Sequence, residues 1–228
     1  MIYQGFYRDE QKSFCDHYAE VVDTRKIPGS SCGEFEIIKY LLNQDAEDDW
    51  FGYFSWKTDL KIGGAFRRFL YEVRELKDRY DFVFVNAMIM GRAIFGCPYR
   101  QGEWSGHRGM MKCAEELNLL EDLRYYAMNH FVVGNRRFWD FYMEYHQNID
   151  RHLVKSSPDV RHIMLGPAGY VRNLNIPMNT FIRERALNNI MNRSGLNGHA
   201  FLMPFENFAA KYGAVLGEQL GPLYRQYQ

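Results

Sequence analysis

Two spacings of hydrophobic residues alternate along this chain, and the change from one to the other marks its elements. Ile2 to Phe6 is a short apolar and aromatic run with Gly5 near its end, and it reads as a first strand. Phe14, Tyr18, Val21 and Val22 then recur at helical spacing within a polar stretch, which predicts a first helix. IPGSSCGE, residues 27–34, reads as a loop closing on a helix start, with Ser31 or Gly33 near the cap and Glu34 and Glu36 in the first turn, where the helix dipole favours acids. That helix runs to about Asn43. WFGYFSW, residues 50–56, follows an acidic turn; it is too short for a helix of its own and reads as a buried strand.

From Gly63 to Arg79 the positions Phe66, Phe69, Leu70, Val73 and Leu76 trace one face of an amphipathic helix. Phe82 to Val85 follows directly as an apolar strand, and a helix leading straight into such a strand marks an α/β unit. A loop of Gly, Pro and Arg leads to a helix expected from about Gly106 to Asn118. HFVVG, residues 130–134, reads as another strand. RRFWDFYMEYHQNI reads as a long helix whose Trp139, Phe141 and Tyr142 belong to the core. The stretch 156–177, with three of the seven prolines, reads as irregular; a helix from about Asn179 to Asn192 and a Gly-rich, aromatic tail complete the chain. With no internal repeat, low-complexity tract or long linker, one domain is expected: an α/β core over about 1–155 and an appended cap over about 156–228.

Composition narrows the class. A chain of 228 residues, 46% hydrophobic and 25% charged, lies in the globular range and can bury roughly 70% of its unfolded surface. The aromatic share of 16% suits a deep core and a cleft that grips rings. Lys plus Arg equals Asp plus Glu at 28 each, so no global field draws a polyanion or a charged bilayer, and the pairs Arg67–Arg68 and Arg136–Arg137 read as solvated helix faces. The first residues lack a basic leader with an apolar run. No window approaches the roughly 18 apolar residues of a membrane span, so a cytoplasmic protein without a transmembrane segment is expected. Cys15, Cys32, Cys97 and Cys113 form no CxxC pair and read as thiols in a reducing compartment.

The signature motifs of phosphate-cradling, dinucleotide and histidine-zinc chemistry are missing: there is no GxxxxGKS, GxGxxG or HExxH. His146 and His152 are too far apart to face one another on a helix, which disfavours metal catalysis by histidine. Four stretches, however, resemble in their order the nucleotide-sugar glycosyltransferases of the GT-A type, in particular the small bacterial and phage capsular-polysaccharide-type transferases: WFGYFSWKTDLKIG at 50–63, YDFVFVNA at 80–87, NHFVVGNRRFWDFYMEYH at 129–146 and NTFIRERALNNIMN at 179–192. Together they cover about a quarter of the chain.

The resemblance implies a GT-A-like, Rossmann-like mixed sheet flanked by helices, with a helical and irregular C-terminal cap. It implies transfer of a sugar from a nucleoside diphosphate to an acceptor hydroxyl on a glycan or on a hydroxylated base of phage DNA. In such enzymes the strand in the place of YDFVFVNA ends in a DxD that holds a divalent ion; here that place reads Asn86, Ala87, Met88. Without two carboxylates a hard cation lacks oxygen ligands, so the resemblance implies a metal-independent enzyme without a cofactor. A cation, Lys57 or Lys61, would then offset the leaving diphosphate.

Glu184, in RERALNN, matches the helix whose carboxylate takes the acceptor proton in inverting members. Asn129 and His130 would meet sugar hydroxyls, and Tyr3, Gly5 and Tyr7 stand where the family holds the nucleotide base. The resemblance thus nominates Glu184, Lys57 and His130 for the reaction, and Tyr3, Gly5, Tyr7, Lys61, Asn86 and Asn129 for donor binding. Plainer readings stand beside it: solvated lysines, an acid paired between Arg183 and Arg185, a structural His130, and a helix-start His107 rather than one over the cleft. A non-catalytic nucleotide-sugar or carbohydrate-binding protein of the same fold is the rival.

Overall fold

The computed structural model describes residues 1–44, 49–86, 96–123, 125–127, 130–169 and 176–202. Among them, six apolar segments form one sheet: β1 (Ile2–Phe6), β2 (Glu20–Asp23), β3 (Trp50–Ser55), β4 (Phe82–Asn86), β5 (Val132–Asn135) and β6 (Gly198–Leu202), in the order β2-β1-β3-β5-β4-β6. β1 runs parallel to β2 and β3, and β4 runs parallel to β6. β5 is antiparallel to both β3 and β4. Five strands therefore point one way and β5 alone points back, so the start of β5 meets the carboxyl ends of the others at one edge.

The helices are α1 (Glu34–Gln44), α2 (Thr58–Lys61), α3 (Phe66–Leu76), α4 (Pro98–Trp104), α5 (Met110–Glu116), α6 (Arg136–Lys155), α7 (Pro158–Leu165) and α8 (Met178–Arg193). Strand alternation sends Phe82, Phe84 and Val132 to one face and Val83, Val85 and Val133 to the other. On the first face α1, α6 and α8 pack with Tyr3 and Phe51, and the Trp139 indole donates to the Phe51 carbonyl at 2.8 Å. On the second, Phe66, Phe69 and Val73 of α3 close over Phe54, the spacing expected of that helix. Asp59 caps α3 by accepting from the Phe66 amide at 3.0 Å.

Residues 119–123 and 125–127 carry no helix or strand, yet backbone groups of Leu119, Tyr125 and Ala127 are satisfied by side chains of α8. Asn188 accepts from the Ala127 amide at 2.6 Å and donates to its carbonyl at 2.9 Å; one turn later Asn192 does the same for Tyr125, at 2.9 Å each. These side-chain amides stand in for a neighbouring strand, which is why Asn188 and Asn189 are fully buried in a helix.

The α/β class and the mixed sheet agree with the sequence reading, and four local expectations are corrected. In place of a first helix there are a 3-10 turn, Asp9–Phe14, and the strand β2. Gln4 accepts from the Asp16 amide at 2.6 Å and bends the chain, so Val21 and Val22 pair beside β1 while Phe14 and Tyr18 stay exposed. The helix expected from Gly106 begins at Met110, because Gly106 and Gly109 take left-handed φ of 100° and 86°; α4, with Pro98 at its start, precedes it. The stretch read as irregular contains α7, started by Pro158 and by Ser157, which accepts from the Val160 amide at 3.3 Å. The Gly-rich tail contributes β6, where Gly198 leaves room for the Phe82 ring.

No helix among the described residues is long and apolar enough to cross a membrane. Cys15, Cys97 and Cys113 are unbridged thiols.

Candidate active site

The edge where β5 starts gathers charges that are far apart in the chain. His130 lies two residues before β5 and stands level with the end of β4, since the Phe131 carbonyl accepts from the Val85 amide at 2.8 Å. Glu34 opens α1. The turn before it needs Gly33, whose φ is 112° and whose missing Cβ leaves space for Thr180 at the start of α8. That close approach brings the first turn of α1 beside α8 and its Glu184. The two side chains are recessed but wet, with 33% of Glu34 and 23% of Glu184 accessible.

Glu34 Oε2 lies 3.4 Å from Nδ1 of the buried His130, whose Nε2 is 3.3 Å from the Tyr142 hydroxyl. Burial raises the Tyr142 phenol, with Arg183 opposing, so it stays protonated beside Nε2. Lys61, last residue of α2, holds its Nζ 5.4 Å from the centre of the Phe131 ring, and its charge reaches both Glu34 and Glu184.

The two carboxyls are driven in opposite directions. Burial works to raise both. At Glu34 the facing His130, with Lys61 adding to it, outweighs burial and holds the carboxyl below its ordinary value. At Glu184 burial prevails over Arg185, and the negative charge of Glu34 pushes the same way, so this carboxyl is raised. Arg185 Nη1 is 3.9 Å from Glu184, too far for a hydrogen bond, and its guanidinium donates instead to the carbonyls of Pro98 and Phe181 and to Gln101. Arg183 turns the other way, onto Asp150 and Asn179, with the Phe35 ring centre 4.4 Å from its Cζ. Of its two neighbours only Arg185 forms an ion pair with Glu184, and among the described residues Glu184 accepts no hydrogen bond. Two nearby carboxyls with separated proton affinities are what acid–base chemistry requires.

His130, Glu184 and Lys61 of the sequence-nominated residues come together here. Lys57 does not join them: it is exposed, with Nζ 5.2 Å from the Trp56 ring centre. It belongs instead to an aromatic group at the ends of β1 and β3, where the Tyr7 and Phe14 rings lie 6.4 and 5.7 Å from Trp56. Burial raises the Tyr7 phenol, but contacts with Trp56 and the charge of Lys57 outweigh it and lower the group. Tyr3 offers no stacking face, because strand alternation turns its ring into the core, 5.7 Å from Phe51. Gly5 is explained by packing: a Cβ there would strike the Tyr53 hydroxyl and the Thr24 methyl.

Asn86 ends β4 opposite Leu202, and its side chain lies outside the description, as does Asn129 altogether. His107 is buried against Phe181, with ring centres 4.2 Å apart; burial and then Arg185 push it down to about 4, so it is a neutral core residue away from the cluster. Sequence reasoning missed Glu34 and Tyr142. The first was explained by the helix dipole and the second by the apolar face of its helix. A hint lay in Gly33, a glycine at a helix start that signals a close neighbour.

Among the described residues no group of three or more His, Cys, Asp or Glu side chains is arranged to hold a metal ion. The fold and the cluster together define an α/β protein with a recessed carboxylate, imidazole and ammonium group at the carboxyl edge of a mixed sheet. No protein-family model, no curated protein and no solved structure matches the chain.

Proposed function

We propose that the chain is a glycosyltransferase with a GT-A-like fold that moves a sugar from a nucleoside diphosphate to an acceptor hydroxyl without a divalent ion. The observation that carries the reading is the raised Glu184 carboxyl beside the ionised Glu34 and Lys61, at the edge where ligands of open α/β sheets gather. The sequence resemblance puts the same carboxyl in the role of base.

Glu184, ionised, takes the proton of the acceptor hydroxyl as its oxygen bonds to the anomeric carbon. The bond from that carbon to the diphosphate breaks, and Lys61 meets the charge that leaves. Glu34 stays ionised against His130 and keeps Glu184 basic. Direct attack inverts the anomeric centre. The balanced charge of the chain favours a glycan acceptor over a hydroxylated DNA base, since each phosphate contact on DNA needs a cation.

The test is a thermal-shift titration with UDP, GDP and dTDP sugars, with and without EDTA, followed by product analysis. A cognate donor at a hundred times its Kd adds about 2.7 kcal/mol of stability, EDTA leaves turnover unchanged, and Glu184→Gln lowers kcat by about 10²–10⁴. Donor binding without turnover supports the non-catalytic rival. No stabilisation by any of the donors removes the reading.

A further inference from the structure

Beside α3 lies a groove of about 570 Å³, away from the carboxylate cluster. Ile2 and Leu70 form its apolar lining, and Tyr18 and Tyr71, 67% and 66% exposed, contribute two open rings. Three guanidiniums, Arg67, Arg68 and Arg74, complete it, and no carboxylate lines it among the described residues. Arg67 is held by Asp16, with its Nε 2.9 Å from Oδ2, and its Cζ lies 5.8 Å from the Tyr18 ring centre. Arg68 and Arg74 are exposed and have no ion-pair partner among the described residues. Arg67 and Arg68 also occupy the first turn of α3, where the helix dipole disfavours cations and no acid is present. Two unpaired guanidiniums next to open rings are what an anion carried on a ring requires, for guanidinium binds phosphate in a bidentate way and tyrosine stacks on bases and sugars. The volume falls within the range of about 300–1,000 Å³ typical of small-molecule sites, and the neutral chain supplies no wider field for a polyanion.

We propose that this groove binds a phosphate monoester of a ring-bearing molecule, either a nucleoside monophosphate or a sugar phosphate. The site is independent of the transferase reading. Isothermal titration with AMP, glucose 6-phosphate and inorganic phosphate tests it, on the full chain and on Arg68→Ala/Arg74→Ala, Tyr71→Ala, Tyr71→Phe and Lys61→Ala. At least one ring phosphate is expected to bind more tightly than inorganic phosphate, and the tighter of the two identifies the source. The double arginine variant, with an unchanged melting temperature, loses tenfold or more. Tyr71→Ala loses severalfold while Tyr71→Phe and Lys61→Ala keep the affinity. The proposal is overturned if neither ring phosphate outbinds inorganic phosphate, if binding survives in the folded double variant, or if Lys61→Ala abolishes it, which would move the ligand to the carboxylate cluster. Donor titrations read through Lys61 and Glu184 test the transferase proposal separately.

Discussion

The two faces of the sheet handle charge in different ways. On the face covered by α1, α6 and α8, ionisable groups are recessed: burial raises Glu184 and Tyr142 and lowers His146, while His130 outweighs burial and holds Glu34 below its ordinary value. On the face that α3 covers among the described residues, the guanidiniums of Arg68 and Arg74 remain in water beside open tyrosine rings. A thick face changes the proton affinity of its groups and suits chemistry; a thin one keeps charges ready for exchange with a ligand.

Substituting the altered carboxyl breaks the contrast most sharply. Beyond its loss of turnover, Glu184→Gln is expected to raise the melting temperature above pH 4.5. A carboxyl raised in the folded state disfavours folding once it ionises, so its stability contribution is lost as pH rises from the unfolded value of about 4.5 through the folded one. An ordinary surface acid would leave the melting temperature where it was. Next in size, Phe69→Ala empties the centre of the thin face and costs about 3–5 kcal/mol by denaturant titration.

Asn188→Ala tests the thick face. It strips partners from both backbone groups of Ala127 and costs about 1–3 kcal/mol. Hydrogen exchange should quicken at 125–127 before it does in β4. The pH dependence of kcat/KM sharpens the comparison further: the acid limb falls through an apparent pKa above 4.5, because the base must be ionised. Glu34 has the opposite sign in stability, its contribution being present above the unfolded pKa and lost as pH falls through the lower folded one. The smallest effect is expected at Arg136→Ala, whose exposed pair with Asp140 contributes about 0.3–0.5 kcal/mol.

The arginine pairs show how far the chain could be read. Arg67–Arg68 and Arg136–Arg137 look alike in sequence, and both read there as solvated faces. Arg136 and Arg137 lie beside Asp140 and Asp81, at 2.9 and 3.5 Å, and fit that description. Arg68 instead lines a groove with Arg74 and Tyr71, because Ile2 of β1 and Tyr18 come to lie beside α3 and nothing in its own residues announces those neighbours. Likewise Glu184 was legible from the segment that holds it, whereas its partner Glu34 was not.

Local spacing was enough to determine β1, β3, β4, α3, α6 and α8, since the repeat of a strand or helix is written in consecutive residues and each apolar face needs a cover. Only the tertiary structure decided that β5 runs against its neighbours, that a glycine-rich stretch becomes β6, and that Asn188 and Asn192 serve a loop in place of a strand. It also decided the meeting of Glu34, His130 and Glu184. Their proton affinities come from burial and from each other's charge, quantities that exist only once distant segments are packed together.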